Sequence, residues 1–249
     1  MYLSVVIPVY NESQGLPELV ERLEAILSSY PSYEAIFVDD GSQDDSAAVL
    51  QKLAQSRPWL KVILLRRNYG QTTAIQMGIQ HATGEIIVLM DSDLENDPAD
   101  IPRLLAKIEE GYDVVSGWRQ HRWKGQWLTR RLPSLLANAL ISFLSGVHLH
   151  DYGCTLKAYR SEILKPIRLY GRMHRFIPIY AKWEGGRITE LPVSYQPRKY
   201  GRSNYGMMRI VSVILDLILI VFLDRYLQRP IQFFGGVGLI SILMGIGSF

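Results

Sequence analysis

From Leu3 onwards, short β-branched runs alternate with stretches of helical periodicity: LSVVIPV, a helix from about Leu16, EAIFVDD, a helix from about Asp45, KVILL, a helix from about Thr72, and EIIVLMD. That alternation admits few folds, because it demands a mostly parallel sheet wrapped by helices. The first helix is the clearest. Leu16, Leu19, Val20, Leu23, Ile26 and Leu27 recur at helical spacing, and Pro17 sits in the first turn, where its missing N–H costs nothing. In open sheets of this kind ligands bind outside the carboxyl ends of the strands, where loops gather and helix N-termini point their amides outward. Three polar clusters follow strands there: Tyr10-Asn11-Glu12, Asp39-Asp40-Gly41-Ser42 and Asp91-Ser92-Asp93. All three are expected on one rim. No G-x-G-x-x-G turn follows the first strand, which argues against a nicotinamide enzyme.

The third cluster carries the chemistry. Residues 88–97, VLMDSDLEND, set carboxylates at Asp91, Asp93, Glu95 and Asp97 directly after an apolar run. Like charges so placed repel one another, and burial raises their pKa values unless a cation neutralises them. Hard oxygen ligands favour Mg²⁺ or Mn²⁺, which bind through one or two carboxylates and complete their shell with substrate phosphates. A solvated loop capping a helix near Pro98 is the simpler reading, and it suits Asp97. The apolar run ahead of Asp91 and Asp93 favours the metal.

The formal charge of +3 is too small for coating nucleic acid, which is not expected as a partner. Charge is unevenly spread, however. Between Asp113 and Asp151 there is no acidic residue, while Arg119, Arg122, Lys124, Arg130 and Arg131 appear with Trp118, Trp123 and Trp127. This describes an anion site or a membrane-facing surface. Beyond it, Leu135, Leu136, Ala139, Leu140, Phe143 and Leu144 form one apolar helical face that suits either a bilayer or the core. The single cysteine, Cys154, makes no internal disulfide, and His148 and His150 read as loop residues rather than metal ligands.

After Tyr205 the chain changes character. Residues 210–223 are apolar apart from Ser212 and Asp216; at fourteen residues they are short of the ~20 needed to span hydrocarbon, which predicts an interfacial helix, with a buried core helix as the alternative. Residues 231–249 hold no charge and five glycines, a transmembrane pattern that runs to the end of the sequence, as a truncated span would. The expected organisation is a catalytic domain over 1–204, a juxtamembrane interfacial helix over 205–229 and a transmembrane helix over 231–249. Arg202, Arg209, Arg225 and Arg229 precede the span, and no signal peptide opens the sequence, which together place the catalytic domain on the cytoplasmic side.

VVIPVYNE, VDDGSQDDS, RNYGQTTAIQMGIQHATGE and MDSDLEND resemble the successive motifs of family-2 inverting glycosyltransferases with the nucleotide-diphospho-sugar (GT-A) fold. Within that family the chain is most similar to polyprenyl-phosphate glycosyltransferases, the group of dolichol-phosphate mannose synthases and bacterial undecaprenyl-phosphate glucosyltransferases. The resemblance implies a metal-dependent, inverting transfer of a hexose to undecaprenyl or dolichyl phosphate at a membrane, in the bacterial inner membrane for this tail. UDP-glucose is the expected donor and GDP-mannose the alternative. It further implies that Pro8, Tyr10 and Glu12 line the nucleoside pocket, with Val38 and Asp40 against base and ribose. Asp91, Ser92 and Asp93 form the D-x-D motif, in which Asp93 holds the metal, with Asp91 and Glu95 as further ligands. Arg198 in RKYGRSN matches the arginine of a basic loop that closes on the diphosphate. Asn204 stands where many relatives carry Lys, and Arg202 is the candidate to supply that charge. Arg119, Arg130 and Ser134 match positions that grip the acceptor phosphate, a task suited to the planar fork of Arg. Asp151 is the nearest candidate for the family's usual base position, with orienting the sugar or capping a turn as the alternatives.

A lipid phosphate is already anionic at neutral pH and needs no general base. A transferase for a soluble or lipid-linked sugar acceptor, and a membrane-tethered nucleotide-binding scaffold, remain rival functions. A homo-oligomer and a flippase partner are left open.

Overall fold

The computed structural model describes residues 2–120, 132–171, 173–199 and 230–248, with positions 216, 219 and 222. Contacts divide the chain into two compact units, Met1–Asn204 and Tyr205–Phe249.

The first unit is built on a seven-stranded sheet among the described residues. Its strands are β1 (Leu3–Val9), β2 (Tyr33–Asp39), β3 (Leu60–Leu64), β4 (Ile86–Leu89), β5 (Val114–Trp118), β6 (Lys157–Arg160) and β7 (Ile188–Pro192), in the order β3-β2-β1-β4-β6-β5-β7. β1 pairs in parallel with β2 and β4, β2 with β3 and β5 with β7; β6 alone runs against both its neighbours. The helices are α1 (Leu16–Leu27), α2 (Ser46–Ala54), α3 (Gln71–His81), α4 (Ile101–Glu109), α5 (Leu132–Ser145), α6 (Ser161–Leu164) and α7 (Ile177–Trp183). The alternation legible in the sequence is thus the fold's N-terminal half, strand for strand.

Period-two burial explains which face does what. Leu3, Val5, Ile7 and Val9 of β1 join Leu16, Leu19, Leu23 and Leu27 of α1 and Leu104, Leu105 and Ile108 of α4 in one core cluster. On the other face α3 lies so close to β1 that a Cβ built on Gly78 would stand 2.2 Å from Val6 Cγ1. All seven residues of β1 are buried, as expected for a parallel strand covered on both sides. At the far end of the sheet from the polar loops, buried Glu34 joins three strands: it accepts from Ser4 Oγ at 2.5 Å and Thr83 N at 2.7 Å, and pairs with Lys61 Nζ at 2.5 Å.

In the second unit, α8 (Pro230–Gly247) is, among the described residues, the one helix long and apolar enough to cross a membrane, and none of its residues is buried. The interfacial helix expected over 205–229 lies almost wholly outside the described residues.

Candidate active site

The parallel register brings the ends of β1 and β2 level and carries the chain after β4 along the same edge, so their polar loops meet. Asp40 N donates to Val9 O at 2.8 Å and Met90 N to Val6 O at 3.1 Å. The first two loops are laced together: Asn11 N donates to Ser42 Oγ, Gln43 N to Asn11 Oδ1 at 2.7 Å, and Glu12 N to Ser46 Oγ at 2.9 Å. Asn11 adopts φ 56°, a left-handed conformation that Asn tolerates. Gly41 shares that conformation at φ 67°, and a Cβ there would lie 2.4 Å from the backbone of Arg67.

Pro8 and Val38 are paired in register and both are buried, whereas Tyr10 is exposed. Asp40 is almost fully buried, and its two oxygens accept from Tyr69 N and Gly70 N, each at 2.8 Å. The carboxylate thereby shapes the turn into α3.

That turn matters because Gln71, the first residue of α3, donates Nε2–H to Asp91 Oδ1 at 2.7 Å. Asp91 also receives a hydrogen bond from the Thr155 side chain. Burial, and then the charge of Asp93, push its pKa up. Ser92 is buried between the two acids. Asp93 Oδ1 accepts from Glu95 N at 3.1 Å, which turns the loop back on itself, while Oδ2 receives Arg198 Nη2 at 2.6 Å. Arg198 Nη1 also lies 3.5 Å from Glu12 Oε1. Glu12 nevertheless has its pKa raised to about 7, because burial, with Asp93, Asp44 and Asp91 nearby, outweighs the arginine.

The basic loop arrives by backbone pairing: Asn96 forms a bridge with Tyr195, and Gln196 N donates to Glu95 O at 2.9 Å. Asp97 accepts from Ala99 N at 3.0 Å, the capping role its position suggests.

Arg119 was expected on the acceptor phosphate. Its side chain is only 2% exposed and its fork holds Asp151, Nε to Oδ2 at 2.8 Å and Nη2 to Oδ1 at 3.1 Å, with Glu95 Oε2 3.9 Å away. Asp151 also accepts from Gly153 N at 3.0 Å. Arg130, Arg202 and Asn204, and the side chain of Ser134, lie outside the described residues. Two further residues join this network without a local signal in the sequence. Gln71 orients Asp91, and buried Lys157 on β6 donates to the carbonyls of Tyr152 and Cys154, bracing the loop that carries Asp151 and Thr155.

The structure thus gathers Glu12, Asp91, Asp93, Glu95 and Asp151, with Arg198, Arg119 and Lys157. With Asp44 also close to Glu12, carboxylates outnumber cations at this partly buried rim, and burial pushes the pKa values of Glu12 and Asp91 up. A divalent ion would offset that crowding of like charge. Among the described residues no three His, Cys, Asp or Glu side chains are arranged to hold a metal ion between them, so the protein would supply one or two carboxylates and leave the rest of the shell to other oxygens. The donor set fits Mg²⁺ or Mn²⁺.

Residues 4–168 match Glycosyl transferase family 2. The dodecaprenyl-phosphate galacturonate synthase of Rhizobium johnstonii is 46% identical over 245 residues, covering 95% of this chain and 71% of that protein. The undecaprenyl-phosphate 4-deoxy-4-formamido-L-arabinose transferase of Edwardsiella ictaluri is 42% identical, over 95% of this chain and 72% of that protein. Among solved structures, glucosyl-3-phosphoglycerate synthase from Mycobacterium tuberculosis, in complex with Mn²⁺ and UDP-glucose, superposes with TM-score 0.69 at 18% identity, over 90% of this chain and 78% of that one. That likeness is one of fold, the GT-A fold.

Proposed function

This chain belongs to glycosyl transferase family 2, and from that membership we propose that it moves a sugar, with inversion, from a nucleotide diphospho-sugar to a polyprenyl phosphate at a membrane. The observation that carries the reading is the seating of Arg198 on Asp93 and beside Glu12, a cation among acids that a donor's diphosphate and its metal would draw apart. The 46% and 42% identical relatives, both named for a polyprenyl-phosphate acceptor, support the acceptor class.

In this reading Pro8, Tyr10, Glu12, Val38 and Asp40 form the nucleoside side of the pocket, and Asp91, Ser92 and Asp93 the diphosphate side. Asp93 would hold a divalent ion directly, with Asp91 and Glu95 in support. Such an ion supplies electrophilic stabilisation of the leaving diphosphate. Gln71 and Thr155 keep Asp91 turned to the rim. Arg198 exchanges Asp93 for the diphosphate as the donor enters, meeting charge where it develops. Arg202 and Asn204 extend that loop. Asp151, already held by Arg119 and Gly153 N, orients the sugar rather than removing a proton, because the acceptor phosphate arrives anionic. Arg119 then acts through Asp151, and Arg130 and Ser134 receive the lipid phosphate.

The relatives differ in the sugar they are named for, so the sugar is the open variable. Purified protein is incubated with polyprenyl phosphate, Mn²⁺ and labelled UDP-glucose, GDP-mannose, or nucleotide-linked galacturonate and 4-formamido-arabinose. Label moving into organic solvent with one donor supports the proposal. In a parallel incubation with a crude cell extract, label that is transferred but stays in water points to a soluble acceptor, and no transfer with any donor in either mixture points to a scaffold.

A further inference from the structure

We infer that Glu190 is a positioning residue for the sugar end of the site, acting on Asp151 through His150; the inference rests on the sugar-orienting role proposed for Asp151. The connection from Ser145, at the end of α5, to Lys157, at the start of β6, carries Asp151 and has no regular secondary structure, so no strand ladder or helix fixes its backbone. Glu190 lies on β7, at the edge of the sheet among the described residues. An acid in such a place is ordinarily solvated. Here its side chain is only 17% exposed, and both of its oxygens go to one residue: Oε2 accepts from His150 N at 2.9 Å, and Oε1 meets His150 Nδ1.

The other groups of His150 are held as well. Its carbonyl accepts from Asn138 Nδ2 at 2.6 Å, and its ring stacks on Trp118 with centroids 4.2 Å apart and planes 17° from parallel. Peptide planarity carries that constraint one residue on, because His150 O and Asp151 Cα share a plane. The two segments therefore meet pair on pair, Trp118 against His150 and Arg119 against Asp151. β5 ends at Trp118 in register with Pro192, so Glu190 reaches this junction from the neighbouring strand. Arg119 fixes the end of the Asp151 side chain; Glu190 fixes the backbone from which that side chain hangs. Misplacing an orienting group by about 1 Å can cost about 100-fold in rate, which is the scale on which such a clasp acts.

The test compares Glu190→Ala, Glu190→Gln and Asp151→Asn in the full chain, with polyprenyl phosphate, Mn²⁺ and the same panel of labelled donors. Gln keeps an oxygen for His150 N and an amide for the ring, and Asn keeps an oxygen for Arg119. Glu190→Ala is expected to lower kcat about tenfold with the donor KM within about twofold, and Glu190→Gln to restore most of the loss. Asp151→Asn should mask the effect, so that adding Glu190→Ala to it costs nothing further. Hydrogen exchange gives a reading without turnover: in Glu190→Ala the amides of residues 150–153 should exchange about tenfold faster or more, and those of β2 at the parent's rate. Unchanged exchange at 150–153 overturns the inference, as does a raised KM at constant kcat, or an equal proportional loss with and without Asp151→Asn. Exchange that quickens throughout the first unit also overturns it, because Glu190 would then be holding the fold. Asp151→Asn turning over like the parent overturns the role given to Asp151 and this one with it. No transfer by the parent with any donor defeats the proposed function and the inference resting on it, so the parent's own turnover tells the two failures apart.

Discussion

At the scale of single residues, the site is a negative rim under tension, relieved here by Arg198. Asp93→Asn removes the charge the rim is built to share, and transfer is expected to fall about 100-fold or more in a single-turnover assay with melting temperature nearly unchanged, because electrostatic groups of this kind carry roughly 10²–10³ each. The pH response has a definite sign. Glu12 has a folded pKa of about 7, above the usual glutamate value, so between the two the native state keeps a proton that the unfolded chain gives up. Stability of the donor-free protein then falls as pH rises through that window and levels off above it; Asp91 acts in the same direction. Added Mn²⁺ should oppose this, its stabilising effect growing from about pH 5 to 7.5, because the ion binds the deprotonated carboxylates. Thermal scans with and without the metal read both trends, and a Mn²⁺ effect independent of pH would refute the assignment. The D-x-D acids were legible because the signal is local: strand, then alternating carboxylates. Gln71, Thr155 and Lys157 were not, since their partners lie 20 to 64 residues away or are backbone carbonyls, and only the folded register brings them together.

At the scale of elements, the first four strands and their helices follow from hydrophobic period alone, whereas the reversed β6 does not. KAYR is four residues long, its burial is decided by neighbours on both sides, and nothing in its own pattern sets its direction. The sheet's two ends divide labour. Glu34 holds the end remote from the rim: burial alone would raise its pKa, but Lys61, Ser4 and Thr83 overcome that and hold it at about 2. Its contribution is therefore fully present above the unfolded glutamate pKa and is lost as pH falls toward 2. Glu34→Gln weakens the charge-assisted bonds from Ser4 and Thr83, while half-exposed Lys61 rehydrates, and should cost about 1–2 kcal/mol in denaturant unfolding, with kcat little altered. At the opposite end, Gly41→Ala meets both an unfavourable φ and the Arg67 backbone. We expect it to weaken donor binding severalfold or more in a titration calorimeter while the fold survives. The two substitutions should thus separate stability from binding by the end of the sheet they touch.

At the scale of the whole molecule, the catalytic unit and α8 pose different physical problems. α8 has eighteen residues, which at ~1.5 Å per residue span about 27 Å, close to the ~30 Å of bilayer hydrocarbon. Its large side chains are bare: Leu239 is 60%, Leu243 61% and Met244 71% exposed. In water such a surface would favour aggregation, and lipid is the environment that would cover it. Its glycines, at positions 235, 236, 238, 245 and 247, are tolerated in a bilayer, where the apolar medium holds backbone hydrogen bonds closed. We therefore propose that α8 spans and that residues 205–229 lead into it along the interface, with the basic residues and the catalytic unit on the cytoplasmic side. Leu239→Asp tests this, since one carboxylate near mid-membrane costs roughly 2.5–3.5 kcal/mol on insertion scales. The parent chain should stay with membranes through an alkaline carbonate wash, and the variant should leave them in much larger proportion. Because Leu239 belongs to a unit separate from the rim, donor binding should be the same in both. A variant that stays fully membrane-bound after the wash would mean that α8 is not what anchors the chain.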